Sequence, residues 1–274
     1  MDSNDYSVVN EAHQQILHLL KKELKSDKVI DSWVFMSSPW PITLILLIYL
    51  AFILKIGPEF MKNREPFSIK NVMLLYNLMQ TIFNGYLLAY VFITPGLPTY
   101  IWNHTCQPDQ SGTKTHIKQE FHTISWYFVL SKIVDLFDTV FFVLRKKQSH
   151  VSFLHVYHHV NMVITCYVHL RFIKSEQAAF GGVINSFIHV IMYLYYFLAA
   201  LGPHMQKHLW WKKYLTGIQI VQFILNIIYL LGLYAFDCNY PKLFLFYMLA
   251  DIILFLYMFL KFYNNTYNIK NKSQ

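Results

Sequence analysis

Phe153-Leu154-His155-Val156-Tyr157-His158-His159 opens an apolar stretch that continues to about residue 170. Histidines at i, i+3 and i+4 share one face of a helix. The stretch approaches the roughly 20 mostly apolar residues that cross a bilayer. Imidazoles are costly in hydrocarbon, so such a face turns toward a bundle interior and marks function. The run therefore predicts a helical membrane bundle. It also points to chemistry of two kinds, histidine-based acyl transfer or a metal site.

The rest of the chain agrees with that class. It has 274 residues, 55% hydrophobic and only 14% charged, where a soluble domain would carry about 25% charge. Aromatic residues, at 18%, suit interfacial belts and a lipid-facing exterior. Spans are expected at 36–56, 71–94, 122–144, 151–170, 179–201, 214–236 and 242–263. The first 30 residues are polar and mixed in charge, which does not read as a cleavable signal peptide. The chain reads as a single all-α domain over 1–274.

The net charge of +8 is concentrated in short loops between apolar spans, which argues against a nucleic-acid partner. Lys62-Asn63-Arg64-Glu65-Pro66, Arg145-Lys146-Lys147, and the group Lys207, Lys212 and Lys213 occupy alternate loops, and Lys261, Lys270 and Lys272 follow the last span. The intervening loops balance: Lys114 and Lys118 against Asp109 and Glu120, Arg171 and Lys174 against Glu176, Asp237 against Lys242. The positive-inside rule then places the basic loops and the tail 264–274 in the cytosol and the segment 1–35 in the lumen. Seven spans satisfy this alternation, whereas six or eight would put one basic loop on the wrong side.

Cys106 and Cys238 fall in two loops assigned to the lumen, where disulfides persist, and are expected to pair; two free thiols are the alternative. Cys166, inside a span, reads as a small packing residue. Lys270 and Lys272 resemble a dilysine signal that returns membrane proteins to the endoplasmic reticulum, against an ordinary basic flank. Asn103-His104-Thr105 is a glycosylation sequon close to a span end.

Three further spans carry polar residues at helical spacing. They are Lys132, Asp135, Asp138 and Thr139 on the third, Asn185, His189, Tyr193 and Tyr196 on the fifth, and Thr216, Gln219, Gln222 and Asn226 on the sixth. Lipid cannot satisfy such stripes, so they face a shared interior. Each has a plainer reading. Gln and Asn bond neighbouring helices, the tyrosines pack, and Lys132 neutralises Asp135 or Asp138. With the topology above, the four stripes meet in one chamber in the cytosolic half, beside the basic loops. That arrangement suits a substrate with an anionic head and an apolar tail.

Taken together, these residues resemble the motifs of the fatty acid elongases, the ELO family. Lys132-Ile133-Val134-Asp135-Leu136-Phe137-Asp138-Thr139 is similar to KxxExxDT, and His155-Val156-Tyr157-His158-His159 to the HxxHH box. Asn185 through His189 with Met192-Tyr193 and Tyr195-Tyr196 follows NxxxHxxMYxYY, and Thr216, Gln219 and Gln222 follow TxxQxxQ. Asp135 departs from the pattern by standing where the family usually has Glu, which shortens the reach of the carboxylate by one methylene. The resemblance implies six helices in a ring around an acyl tunnel, with the first span outside. It implies a 3-ketoacyl-CoA synthase of the endoplasmic reticulum membrane that condenses a long-chain acyl-CoA with malonyl-CoA and releases CoA and carbon dioxide. No cofactor or metal is implied.

Roles follow by the same resemblance. His158 is the expected acyl acceptor, with His155 and His159 orienting it or exchanging protons. Asp135 and Asp138 fix imidazole tautomers. His189 with Asn185 polarises a thioester carbonyl or stabilises an enolate. Lys132, Thr139, Tyr193, Tyr196, Gln219 and Gln222 contact substrate. Arg145, Lys146, Lys147, Lys212 and Lys213, with Lys207, form a rim for CoA phosphates, a role that the topology signal alone would mimic. Expected partners are the bilayer and the reductases and dehydratase of the elongation cycle, and a homodimer is left open.

Two rivals stand. A di-iron desaturase or hydroxylase also uses HxxHH boxes but needs several, and here one box is joined only by His189 and the pair His204 and His208. A seven-span receptor would open its pocket outward, whereas these stripes lie toward the cytosol.

Overall fold

A computed structural model describes residues 27–109 and 115–268. The segment before residue 27 and the lysine-bearing tail after 268 lie outside the described residues, as does Lys114. Helices account for the regular structure of the described residues, and no strand occurs among them. The helices that build the bundle are α1 (Trp40–Ala51), α2 (Lys70–Ile93), α3 (Leu97–Asn103), α4 (His116–Val134), α5 (Phe137–Leu144), α6 (Phe153–Val168), α7 (Ala179–Leu201), α8 (Lys212–Ala235) and α9 (Lys242–Tyr263). Helix α1 runs on through a π-helical turn to Met61, and α6 through another to Ile173.

Local sequence sets these ends. Ser152 caps α6, its hydroxyl accepting from the His155 amide at 3.3 Å, and Thr115 caps α4 in the same way through Lys118. Gly202 ends α7 in a backbone conformation with φ of 124°, and Pro203 follows it.

Neighbouring contacts close a ring. Helix α2 packs on α7, α7 on α8, α8 on α9, α9 on α6, α6 on α4, and α4 back on α2. Helix α1 stands outside and packs on α5 and α6. Ile42, Leu46 and Ile53 of α1 are buried against Val143, Val163 and Leu170. At Gly57 the approach is so close that a Cβ would meet Val143 Cγ1 at 2.7 Å and the Phe52 carbonyl at 2.8 Å. Arg171 pairs with Asp31 and so ties the segment before α1 to the end of α6.

Five helices are long and apolar enough to cross a membrane: Trp40–Met61, Lys70–Ile93, Glu176–Leu201, Lys212–Ala235 and Lys242–Tyr267. Large apolar side chains such as Leu44, Ile48, Leu75, Ile82, Ile228 and Ile253 are exposed on them, the pattern of helices solvated by lipid. The chain is thus an all-α membrane protein. The other two segments expected to span, 122–144 and 151–170, are helical over most of their length but are not among the five. The third expected span also begins earlier, at His116, and is interrupted between Val134 and Phe137 rather than continuous.

Cys106 and Cys238 are bonded, with Cα atoms 4.6 Å apart, and join the chain after α3 to the α8–α9 connection. The Asn239 amide donates to the Cys106 carbonyl at 3.0 Å beside this link. A non-reduced digest is expected to yield a peptide joined through these two cysteines, lost on reduction. Cys238→Ser is expected to lower the melting temperature in detergent, with a loss of up to about 5 kcal/mol of stability for so long a loop. An unlinked digest would contradict the bond.

Candidate active site

The interruption between α4 and α5 falls inside the Lys132–Thr139 stripe, with Lys132 and Asp135 turned into the ring and Thr139 turned out of it. Lys132, on the last turn of α4, has its ammonium fully enclosed. It donates to Asp135 Oδ2 at 3.0 Å and to Asn185 Oδ1 at 2.9 Å, and it meets His189 Nδ1 at 3.3 Å. An ammonium has three hydrogens and no acceptor, so these three partners satisfy it. His189 Nδ1 then accepts, which leaves Nε2 as an N–H donor. The helices α4 and α7 are joined by this one cation.

Asp135 is equally well met. Its Oδ1 accepts from Gln80 Nε2 at 2.5 Å and from the Tyr193 hydroxyl at 2.8 Å, and His189 Nδ1 lies 3.5 Å from Oδ2. The shorter carboxylate therefore still spans α2, α4 and α7. Tyr193 also reaches Asp138 Oδ2 at 2.9 Å. A phenol has one hydrogen, which Tyr193 shares between the two carboxyl oxygens.

The histidine face lies on the next helix. The His155 and His159 rings are 4.3 Å apart between centroids, and His158 and His159 5.6 Å. The His158 ring stands edge-on to Phe255 of α9 at 5.0 Å. Its Nδ1, like His155 Nε2, is buried without a hydrogen-bond partner. His158 shares its cavity with Asn185, which accepts from the Lys132 ammonium that also meets His189. Among the described residues no three His, Cys, Asp or Glu side chains are grouped as metal ligands.

A cavity of about 200 Å³ runs inside the ring. His158, Asn185, Gln222 and Asp251 line one part of it, and Phe121, Phe128, Met162, Val183, Phe223 and Leu230 make its wall apolar. His169, Gln177 and Tyr240 line it farther along. The eleven helical residues from His158 to His169 correspond to roughly 16 Å. A second network flanks His158. Asp251 accepts from Tyr157 at 2.9 Å and from Asn161 at 2.7 Å, and Tyr247 donates to Asn161 Oδ1 at 2.7 Å. It bolts α6 to α9 on both sides of His158.

Other residues singled out in the sequence lie apart from this hub. Thr139 shares a hydrogen bond with Tyr49 of α1 at 2.8 Å, outside the ring. Gln219 contacts the Met192 sulfur at 3.7 Å, Thr216 is buried, and Tyr196 packs against Tyr193 and Tyr195 with much of its surface exposed. Arg145 reaches the Met73 sulfur at 3.3 Å, Lys146 donates to the Lys62 carbonyl at 3.1 Å, Lys147 and Lys212 are exposed, and Lys213 lies over the Tyr263 ring. Away from the spans, burial and then the Glu176 carboxylate, 2.6 Å from its oxygen, raise the Tyr100 hydroxyl above the usual phenol range.

Two contributors escaped the sequence reading. Gln80 belongs to a stripe of buried Asn77, Gln80 and Asn84 at i, i+3 and i+7 on the second span, the same spacing rule that revealed the others. Asp251 is a lone acid in an apolar span, which is itself a functional signal.

Known proteins resemble this chain over nearly its whole length. The GNS1/SUR4 (ELO) family profile matches residues 34–274. The human very long chain fatty acid elongase 4 is 42% identical over 248 residues, covering 90% of this chain and 77% of its own. The rat very long chain fatty acid elongase 7 is 39% identical over 88% of this chain and 86% of its own. A very long chain fatty acid elongase of Aedes aegypti is 40% identical over 88% and 67%.

The enclosed ion pair makes a direct energetic prediction. Lys132→Met strands the Asp135 carboxylate and is expected to destabilise the protein by about 3 kcal/mol. Lys132→Met with Asp135→Leu is expected to recover a large part of that loss, because both charges leave together. Thermal unfolding in detergent measures the cycle, and simple additivity of the two single losses would contradict the coupling.

Proposed function

The chain belongs to the ELO (GNS1/SUR4) family of very long chain fatty acid elongases, and from that premise we propose that it condenses a long-chain acyl-CoA with malonyl-CoA through an acyl-imidazole at His158. As a family member it is a membrane enzyme of fatty acid elongation. The finer reading rests above all on one observation: His158 lines an apolar cavity together with Asn185, which the Lys132 ammonium ties to Asp135 and His189.

The acyl chain lies in the cavity with its thioester carbon against the His158 ring. An imidazole nitrogen attacks that carbon, the C–S bond breaks, and CoA departs as a thiol after taking up the imidazole proton. The His189 Nε2–H and Asn185 hold the carbonyl oxygen as charge gathers on it. Malonyl-CoA then binds and loses carbon dioxide. The electron pair of the broken C–C bond forms an enolate, which attacks the acyl carbon; cleavage of the C–N bond releases 3-oxoacyl-CoA, and the departing imidazole nitrogen takes up a proton from water, which returns a neutral His158. Lys132 and Asp135 act by holding His189 in its tautomer and Asn185 in its rotamer. The Asp251 network holds the flanks of His158.

Lys147, Lys207, Lys212 and Lys213 are exposed beside the His158 ends of α5, α7 and α8 and suit the phosphates of CoA. With the basic loops cytosolic, this entrance faces the cytosol, the disulfide end faces the lumen, and the endoplasmic reticulum is the membrane. No cofactor takes part in these steps. The 3-oxo product requires reduction and dehydration by partner enzymes.

His158→Ala is expected to lower condensation of acyl-CoA with malonyl-CoA by at least about 100-fold, with little change in melting temperature, since His158 makes no hydrogen bond through its buried Nδ1. Release of labelled carbon dioxide from malonyl-CoA measures it. Undiminished activity would exclude His158 as the acyl acceptor.

A further inference from the structure

Helix α7 changes character within one turn of the reacting end. Asn185, Ser186 and His189 are buried on its inward face. Gly182 stands at helical spacing from all three and so shares that face. It lies three residues toward the N-terminus from Asn185, or roughly 4.5 Å along the axis. Asn185, Ser186 and Gly182 all line the cavity.

The glycines of the bundle differ in what surrounds them. A Cβ on Gly181 would stand 3.1 Å from Asn226 Oδ1, so that position is small because α8 packs against it. A Cβ on Gly182 would meet no atom within 4 Å. Since Gly182 lines the cavity, the open space beside it is the cavity itself. Gly85, Gly217 and Gly232 are as open as Gly182 but do not line the cavity. The other helices put bulky groups into the wall, Phe128 from α4, Met162 from α6 and Phe223 from α8. No close neighbour demands a glycine at 182, and what its missing side chain leaves is room for something else.

We propose that Gly182 determines specificity for long acyl chains. The chain attached at His158 runs through the space that a side chain at 182 would occupy, and on to the part of the cavity lined by His169, Gln177 and Tyr240. The proposal rests on the elongase reading. It assigns passage and not chemistry, because Gly182 has no side chain to reach the reacting atoms. A hydrocarbon chain is held by apolar contact along its length, so the loss of room at one point excludes every chain that must pass it. Alanine, valine and leucine at 182 fill the space in increasing measure, while a chain that ends before this level is indifferent to them.

The test uses the full-length enzyme in detergent with malonyl-CoA and saturated acyl-CoAs of increasing chain length. Gly182→Leu is expected to lower kcat/KM for the longest substrate at least about tenfold relative to the shortest one that the wild type condenses, which moves the profile to shorter chains. Gly182→Ala and Gly182→Val are expected to move it the same way by smaller steps, and they carry the test if the leucine variant does not fold. Gly85→Leu, at a glycine equally open but away from the cavity, is expected to leave the profile unchanged. An unshifted profile in the Gly182 variants would overturn the proposal. So would an equal loss at every chain length, or a shift of the same size in Gly85→Leu. In each of these cases, condensation by the wild type keeps the elongase reading intact. Failure of the wild type to condense any acyl-CoA would overturn both.

Discussion

Lys132 carries a full charge with no water to solvate it, and the bundle is arranged around that demand. A lone ammonium in a low-dielectric interior is prohibitively costly. Three hydrogens need three partners, and they come from Asp135 on the same chain segment and from Asn185 and His189 on α7. Asp135 in turn draws in Gln80 from α2 and Tyr193 from α7. One cation thus fixes the mutual position of α2, α4 and α7, half of the ring. It also sets which nitrogen of His189 is free to donate. The stabilising contacts and the positioning contacts are the same contacts, which is why the helix breaks at this point instead of running straight through.

The other half of the ring has a separate fastening. Asp251 holds α9 to α6 through Tyr157 and Asn161, the residues before and three after His158. Its removal would free the ring that faces the cavity without touching the Lys132 hub. Between the two fastenings lies a largely apolar passage, with Ser125, Thr165 and Asn226 among the polar residues of its wall.

Much of this was legible in the sequence because lipid leaves so few choices. Polar residues at helical spacing in apolar spans must face inward, so the stripes of α4, α6 and α7 identified their own interior, and the positions at 179–201 and 242–263 were read to the residue. What the pattern could not convey was depth and angle. Thr139 continues the stripe of Lys132, Asp135 and Asp138 in sequence, yet the break after Val134 turns it outward to Tyr49. The Gln80 stripe follows the same spacing rule, but three amides without a charge or an imidazole carry little signal of their own, since amides in membranes so often only join helices. Asp251 stood alone, with no periodic companion to draw attention to it. The two expected spans that are not among the five apolar ones are polar for different reasons: α6 carries the histidine box, whereas α4 carries Lys118, Gln119, Glu120 and His122 as well as Lys132.

The account turns on His158 as the atom donor to which the acyl group is joined. The most direct measurement is intact-protein mass on the wild-type enzyme incubated with acyl-CoA in the absence of malonyl-CoA, followed by fragmentation to place any adduct. The account predicts a gain of one acyl group located on His158 and its loss when malonyl-CoA is added. An acyl group on another side chain, or turnover with no enzyme-bound acyl group at any time, would contradict it.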